Sequence, residues 1–412
     1  MRGLPRFELI ILWEAALISQ PARSSQKASP HFFQGGPLAD LNHQKPNGFS
    51  PDQQGVDSSW MLHAVALAKK GWGRAAPNPM VGAVLVRNSQ WISEGYHNGV
   101  GCSHAEKVAL KGLEGALRGT TAYVTLEPCS HKGRTGPCAQ ALVDAGVSRV
   151  VIGTLDPNPL VAGKGIDLLK NAGVEVSLGV EEETCLDLIR PFAWRMKTGR
   201  PWVHAKWAMS ADGKIASISG DSRWISGVES RAWVHRLRGG MDAIVVGSGT
   251  VLADDPMLNP RPWGNRTPVR ILLDRKGRTP SSCNLAQSVL EGQVILITNP
   301  KAPKHWKQGW RSKGVEVVEA EDGLNVLVEI AQSRGWTEIL IEGGGGILGS
   351  AFAVGLVNEV HLFVAPKILG GLAAPGPVGD PGITKMLYAR MLRLMEGQIC
   401  GPDIRLRYLV EP

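Results

Sequence analysis

Only six cysteines occur in the 412 residues: Cys102, Cys129, Cys138, Cys185, Cys283 and Cys400. That is too sparse for a disulfide scaffold, and the crowding of Cys102, Cys129 and Cys138 beside His104 and His131 favours metal binding in a reducing compartment. Long apolar runs are missing too. Near the start, Leu9-Ile10-Ile11-Leu12-Trp13 is bracketed by Glu8 and Glu14. It falls far short of the ~20 apolar residues of a spanning helix, and it lacks the small-residue cleavage pattern of a secretory signal. No membrane association is expected. Aromatic residues make up 6 % and charged residues 20 %, and no dense Lys/Arg run accompanies the net charge of +8 and pI of about 9.2. A basic balance without a basic run or aromatic platforms points away from nucleic acid and towards a phosphorylated small molecule.

Apolar residues reach 43 %, enough to fill more than one core. The length fits two or three domains of roughly 100–200 residues. Residues 1–55 read as an unstructured extension, rich in Ser, Gln, Pro and Asn after residue 18. Glu8, Glu14 and Asp40 argue against an organelle transit peptide. A targeting segment, a tail and a start site placed too early stay open as readings, and the cytoplasm is the expected compartment. From Trp60 to Lys70, ahead of Gly71, apolar positions fall at helical spacing. Short apolar runs at Val81–Val86, Tyr123–Leu126 and Arg149–Gly153 predict strands. Helices are predicted over Ser103–Leu117, from Pro137 to Gly146, and around Glu181–Met196. This alternation predicts a layered α/β domain over 56–197 with a largely parallel sheet. Thr198-Gly199-Arg200-Pro201 then punctuates the chain. Further runs at Trp202–Trp207, Ala243–Val246, Val269–Leu273, Val294–Ile297, Ile339–Ile341, Val360–Ala365 and Ile404–Leu409 predict a second α/β domain over 198–412.

The first domain carries His104-Ala105-Glu106, Pro128-Cys129 and Pro137-Cys138. His104 and Glu106 fall in the first turn of a predicted helix after Ser103, and Cys138 follows a proline at the start of another. One imidazole and two thiolates hold Zn²⁺ with its fourth position open to water, which marks a catalytic rather than a structural site. Glu106 is then the proton shuttle between water and a leaving amine. Blander readings exist: Ser103 and Glu106 also fit a capping box, and Cys129 and Cys138 could be ordinary buried cysteines. All three ligands plus the glutamate, each in the element the site requires, favour zinc catalysis. Cys102 is not expected to bind, since a third thiolate would close the site.

The order His-x-Glu, Pro-Cys, Cys resembles the cytidine-deaminase-like superfamily. Most members space the cysteines as Cys-x-x-Cys, whereas here Ser130–Pro137 intervene. The string Leu126–Cys138, with Pro77-Asn78-Pro79-Met80-Val81-Gly82, Asp156-Pro157-Asn158-Pro159 and Gly163-Lys164-Gly165, is similar to the deaminases of riboflavin biosynthesis. Serine at 103 departs from the family's usual proline. The resemblance implies a three-layer α/β/α fold, with Asn78 beside the pyrimidine and His131, Lys132 and Arg134 on the substrate phosphate.

In the second domain, Lys206–Ala216, Ser222–Ser226 and Val251–Pro256 resemble the riboflavin-pathway reductases, whose α/β fold is like that of dihydrofolate reductase. Ile341-Glu342-Gly343-Gly344-Gly345 lies between a predicted strand and helix, where backbone amides can approach a phosphate. By resemblance, Ser222, Arg238, Asp254, Leu258 and Arg261 line the sugar-phosphate site. Ala208, Trp224, Thr250, Glu342, Gly344 and Gly345 face NADPH, and Asp254 is the candidate acid or orienting group.

The resemblance, over about 60–410, implies two reactions. One is zinc-dependent hydrolytic deamination of 2,5-diamino-6-ribosylamino-4(3H)-pyrimidinone 5′-phosphate. The other is NADPH-dependent reduction of the ribosyl group to ribityl. A homo-oligomer, dimer or tetramer, is expected. Rivals are a nucleic-acid deaminase, a module stapled by a structural metal, and a deaminase carrying a non-catalytic reductase-like domain.

Overall fold

The computed structural model describes residues 51–411 apart from 114–116, 131–135, 160 and 262–265. Most of the expected extension therefore lies outside the described residues. The first lobe runs α1 (Pro51–Ala68), β1 (Gly82–Arg87), β2 (Gln90–Tyr96), α2 (Ala105–Leu110), β3 (Thr120–Leu126), α3 (Cys138–Asp144), β4 (Arg149–Thr154), α4 (Lys164–Asn171), β5 (Glu175–Leu178) and α5 (Glu182–Thr198). Strand order is β2-β1-β3-β4-β5. The largely parallel sheet expected above is in fact mixed: β1 is antiparallel to both neighbours, and only β3, β4 and β5 run parallel. The reason is a hairpin turned at Asn88 and Ser89, which take φ of 51° and 59°, the left-handed backbone a two-residue turn requires.

Period-two alternation sends Ala83 and Leu85 to one face and Val84 and Val86 to the other. The first face packs on α2, α3 and α4 through Ala109, Leu142 and Leu169. The second packs on α1 and α5 through Met61, Leu188 and Ile189, completing an α/β/α sandwich. Helix α1 starts nine residues before Trp60, so residues 51–55 belong to it and not to the extension. Helix α2 stops at Leu110 rather than Leu117, ahead of Gly112 at φ 77°.

The second lobe runs β6 (Trp202–Ser210), α6 (Val228–Arg238), β7 (Ala243–Gly247), α7 (Ser248–Asp254), β8 (Val269–Leu273), α8 (Asn284–Gln287), β9 (Val294–Thr298), α9 (Lys304–Arg311), β10 (Glu316–Glu319), α10 (Gly323–Ser333), β11 (Glu338–Glu342), α11 (Gly345–Ala353), β12 (Glu359–Ala365), β13 (Leu392–Cys400) and β14 (Asp403–Val410). Its sheet is ordered β10-β9-β8-β7-β11-β6-β12-β14-β13. It is parallel from β10 to β12, and β14 and β13 close it as antiparallel strands. Val203, Ala205 and Trp207 face α10 and α11. Ile244, Val246 and Leu340 face α6 to α9. No helix among the described residues is long and apolar enough to cross a membrane.

Helix α1 is bolted down by charge. Asp57, 3 % exposed, accepts from Arg149 Nη1 at 2.9 Å, Arg149 Nη2 at 2.8 Å and Tyr123 Oη at 2.8 Å. Burial opposes ionisation of Asp57, but Arg149 and Tyr123 outweigh it and hold the carboxyl below its usual range. Removing one partner of a buried pair strands the other charge, so Asp57→Ala should cost about 3–5 kcal/mol by urea unfolding at pH 7. The depressed folded pKa means that this stabilisation is full above the ordinary carboxylate range and is lost as pH falls through the folded value. The gap between wild type and Asp57→Asn should therefore narrow below about pH 4; a gap that stays constant with pH contradicts this account.

Candidate active sites

Strand β3 ends at Leu126, and the next residues turn towards α3. Glu127, buried, makes that turn rigid. Its Oε2 accepts from the amides of Asp156 (3.3 Å) and Gly163 (3.0 Å), and its Oε1 from those of Gly165 (2.9 Å) and Ile166 (3.4 Å). Gly165 passes so close that a Cβ there would lie 2.0 Å from the Pro128 oxygen. Cys129 is thereby fixed, and the first turn of α3 closes on it: the amides of Cys138 and Ala139 donate to Cys129 Sγ (3.4 Å) and Cys129 O (3.2 Å).

His104 caps α2 with its backbone, makes no side-chain cap bond, and is left free to point at the cysteines. The capping box read from Ser103 is thus not formed. His104 Nδ1 lies 3.6 Å from Cys129 Sγ and 3.3 Å from Cys138 Sγ, and all three donor atoms fall within 4.8 Å of one another. Each thiol is shifted chiefly by the other: Cys129 is pulled down to about 4 by Cys138, with His104 adding to the effect, and Cys138 is pushed up by Cys129. A proton shared this way is the one a cation displaces, and one imidazole with two thiolates is a donor set suited to zinc. The residues fit the ion. Glu106, 4 % exposed on the first turn of α2, is pushed up to about 7 by burial.

One neighbour was not legible in the sequence. His97 follows β2, and its Nδ1 pairs with the Ser103 oxygen at 3.2 Å while its Nε2 lies 3.2 Å from Asn78 Nδ2. Its ring stands edge-on to His104 at 5.7 Å. Asn78 thus reaches the metal donors through His97. His131, Lys132 and Arg134 lie outside the described residues.

In the second lobe, Arg238 of α6 grips Glu342 at the end of β11 through Nε (2.5 Å) and Nη2 (2.8 Å), and its Nη1 reaches Asn259 O at 3.3 Å. Burial opposes the Glu342 charge, but Arg238 holds the carboxyl low. Lys206 on β6 is pulled down by burial and interacts with Glu342, Arg238 and Asp254. Ser222 Oγ donates to Asp254 Oδ1 at 2.9 Å. Leu258 is buried in the core with φ 55°, so only its backbone is offered to a ligand. Arg261 is exposed, and Trp224 is exposed beneath the Arg231 guanidinium.

Beyond the C-terminal ends of β7 to β11 lies a cleft of about 950 Å³, the place where parallel sheets bind nucleotides. Thr250 and Gly344 to Gly346 line it, and the Gly344 amide donates to Thr250 Oγ1 at 3.0 Å. Arg275, Lys276 and Arg278, which the sequence motifs did not mark, give it a basic wall. Ala208 is half-buried on β6.

A metal-binding deaminase lobe joined to a reductase lobe with a cofactor-sized cleft defines the class of protein. Known families agree with it. Residues 54–154 match the cytidine and deoxycytidylate deaminase zinc-binding region, and residues 201–406 match the RibD C-terminal domain. The riboflavin biosynthesis protein RibD of Actinobacillus pleuropneumoniae is 44 % identical over 361 residues, spanning 86 % of this chain and 96 % of that protein. That of Escherichia coli is 37 % identical over 362 residues, spanning 84 % and 98 %. Among solved structures, RibD of Acinetobacter baumannii (38 % identity, 87 % of this chain and 100 % of that one) superposes with a TM-score of 0.74. The deaminase/reductase of Thermotoga maritima (34 %, with the same coverages) gives 0.75. The chain belongs to the RibD family of bifunctional riboflavin biosynthesis proteins.

Two substitutions separate binding from chemistry at the first site. Cys129→Ser should lose bound zinc and ammonia release together. Glu106→Gln should keep one zinc at this site while ammonia release falls at least ~100-fold. Zinc content by elemental analysis beside an ammonia assay checks both, and a Glu106→Gln protein of near wild-type activity contradicts the shuttle.

Proposed function

We propose that the two lobes carry out successive steps on one phosphorylated pyrimidine. The first deaminates 2,5-diamino-6-ribosylamino-4(3H)-pyrimidinone 5′-phosphate by hydrolysis, and the second reduces the ribosyl group to ribityl with NADPH. The observation that carries the reading is Glu106, buried in the turn that also presents His104 to Cys129 and Cys138. Zinc held by those three residues supplies Lewis acidity that makes water nucleophilic near neutral pH. Glu106, pushed up to about 7, can take a proton from water and return it to the amine. A carbon–oxygen bond forms, the carbon–nitrogen bond breaks, and ammonia leaves. Asn78, held by His97, orients the ring, and His131, Lys132 and Arg134 take the phosphate.

In the second step the bond between the anomeric carbon and the ribose ring oxygen would break, the oxygen taking a proton as the nitrogen lone pair forms a C=N bond, and NADPH would supply the hydride that reduces that carbon. Thr250, Glu342, Gly344 and Gly345, with Ala208 and Trp224, hold the cofactor, and Ser222, Arg238, Leu258 and Arg261 hold the sugar phosphate. Asp254 accepts from Ser222, which suits it to orienting. Lys206, an ammonium whose pKa burial lowers, is the better proton donor. A second copy of the chain is the proposed partner, in a dimer or tetramer: the edge strand β13 leaves Leu392, Leu394 and Ile399 exposed. The cytoplasm, which keeps Cys129 and Cys138 reduced, is the proposed compartment.

NADPH oxidation should follow ammonia release and be absent from the Glu106→Gln protein until the deaminated product is supplied. Oxidation of NADPH by the undeaminated substrate at an equal rate overturns the order. Lys206→Met should lower the reductase kcat by ~100-fold or more with ammonia release unchanged.

A further inference from the structure

In the runs Trp202–Trp207 and Val360–Ala365 one face is wholly apolar, while the other carries His204, Lys206 and His361 among Trp202, Phe363 and Ala365. On β12, Glu359 and His361 share the other face because side chains alternate. The parallel register places His204 of β6 beside Glu359. All three are buried, at 4 %, 3 % and 3 % exposure. His204 Nδ1 lies 3.1 Å from His361 Nε2 and 3.6 Å from Glu359 Oε1, and His361 Nε2 lies 3.1 Å from Glu359 Oε1. Four-coordinate zinc with nitrogen and oxygen ligands at ~2.0–2.1 Å spaces those ligands about 3.3 Å apart. The three separations bracket that value.

The surroundings match a metal site as well. His204 Nε2 pairs with Glu338 Oε1 at 3.2 Å, the carboxylate–histidine arrangement that fixes a ligand's tautomer and aims its other nitrogen. Trp202 Nε1 donates to Glu359 Oε2 at 3.2 Å, and Arg407 holds both Glu359 oxygens, Nε at 2.6 Å and Nη2 at 3.1 Å. The Arg407 charge is countered by Asp187 of α5, at 2.6 and 2.9 Å, so it does not stand unopposed against a cation. Hydrogen bonding leaves part of the cluster unsatisfied: His361 Nδ1 is buried with no partner among the described residues. A cavity of about 360 Å³ borders the cluster, lined by His204, Glu359 and His361 on one side and by Trp72, Asn78 and Met80 of the first lobe on the other. Solvent there can complete the coordination.

We propose that His204, Glu359 and His361 form a second divalent-metal site, buried at the junction of the lobes and separate from His104, Cys129 and Cys138. Two imidazoles and a carboxylate suit borderline first-row ions such as Zn²⁺ and Co²⁺. An ion there ties β6 to β12 and, through Glu359 and Arg407, to α5 of the first lobe. Its role is to stiffen the junction.

The test is Co²⁺ reconstitution of the metal-stripped full chain, read by metal content and absorption spectrum. Two ions per chain are expected in wild type, only one of them giving thiolate-to-cobalt charge transfer. Cys129→Ser should lose that band and keep one ion. His361→Gln should keep the band and ammonia release and bind one ion. One ion per chain in wild type overturns the proposal without recourse to any variant. So do two ions retained in both His361→Gln and His204→Gln, and so does an ion in Cys129→Ser that His361→Gln does not remove.

Discussion

The carboxylate of Glu127 is the fixture on which the first active site rests. As the chain leaves β3 the Glu127 amide still donates to Thr154 O of β4 at 2.9 Å, and the Glu127 carboxylate then accepts from the four amides of Asp156, Gly163, Gly165 and Ile166. These amides come from the β4–α4 connection and the first turn of α4, so the metal-binding turn is braced by the neighbouring βα unit rather than by itself. Gly165 is the geometric counterpart, since any side chain there would collide with the Pro128 oxygen. With Cys129 so placed, α3 needs only to begin nine residues later for Cys138 to arrive beside it.

The second lobe depends on an arrangement of a different kind. One face of its sheet is apolar against α10 and α11. The other carries a buried polar seam across β6, β11 and β12: His204, Glu338, Glu359 and His361 towards the strand starts, then Lys206 and Glu342, with Arg238 from α6, towards their ends. Buried charges are costly unless paired, and each acid here has a base within reach. Glu342, at the upper end of the seam, leads into Gly344 and Gly345, which line the cleft, and the lower part faces the first lobe.

How much of this the sequence disclosed follows from where the signals are local. His104, Glu106, Cys129 and Cys138 sit in short strings with chemically narrow meaning, and the central strands are unbroken apolar runs, so both could be read directly. Strands β2, β5, β10 and β13 were missed because they are edge strands with at most one fully buried residue each, which alternate too weakly to stand out. The start of α1 hid in Gln53, Gln54 and Ser58, polar residues that carry no period. His97 gave no signal, because its partners are Asn78 and the Ser103 backbone. His204, Glu359 and His361 were masked by the apolar residues between them, although His-x-Lys and Glu-x-His at period two were the available clue. The basic wall of the cleft is assembled by the loop after β8, which no motif marks.

The junction of the lobes has one more implication. A Cβ on Gly240 would lie 2.6 Å from the Trp72 ring, and Arg266 donates to the oxygens of Gly73 and Ala76, at 3.0 and 3.2 Å. These contacts seat the first lobe at the N-terminal ends of the second lobe's parallel strands, whereas the cleft lined by Thr250 and Gly344 opens beyond their C-terminal ends. A nine-residue strand such as β6 spans about 30 Å at ~3.3 Å per residue. With the cofactor in that cleft, a molecule leaving the first lobe would travel around the sheet to reach it. What a single polypeptide guarantees is therefore dosage: every copy translated brings both catalysts in a fixed one-to-one ratio, however strongly or weakly the gene is expressed.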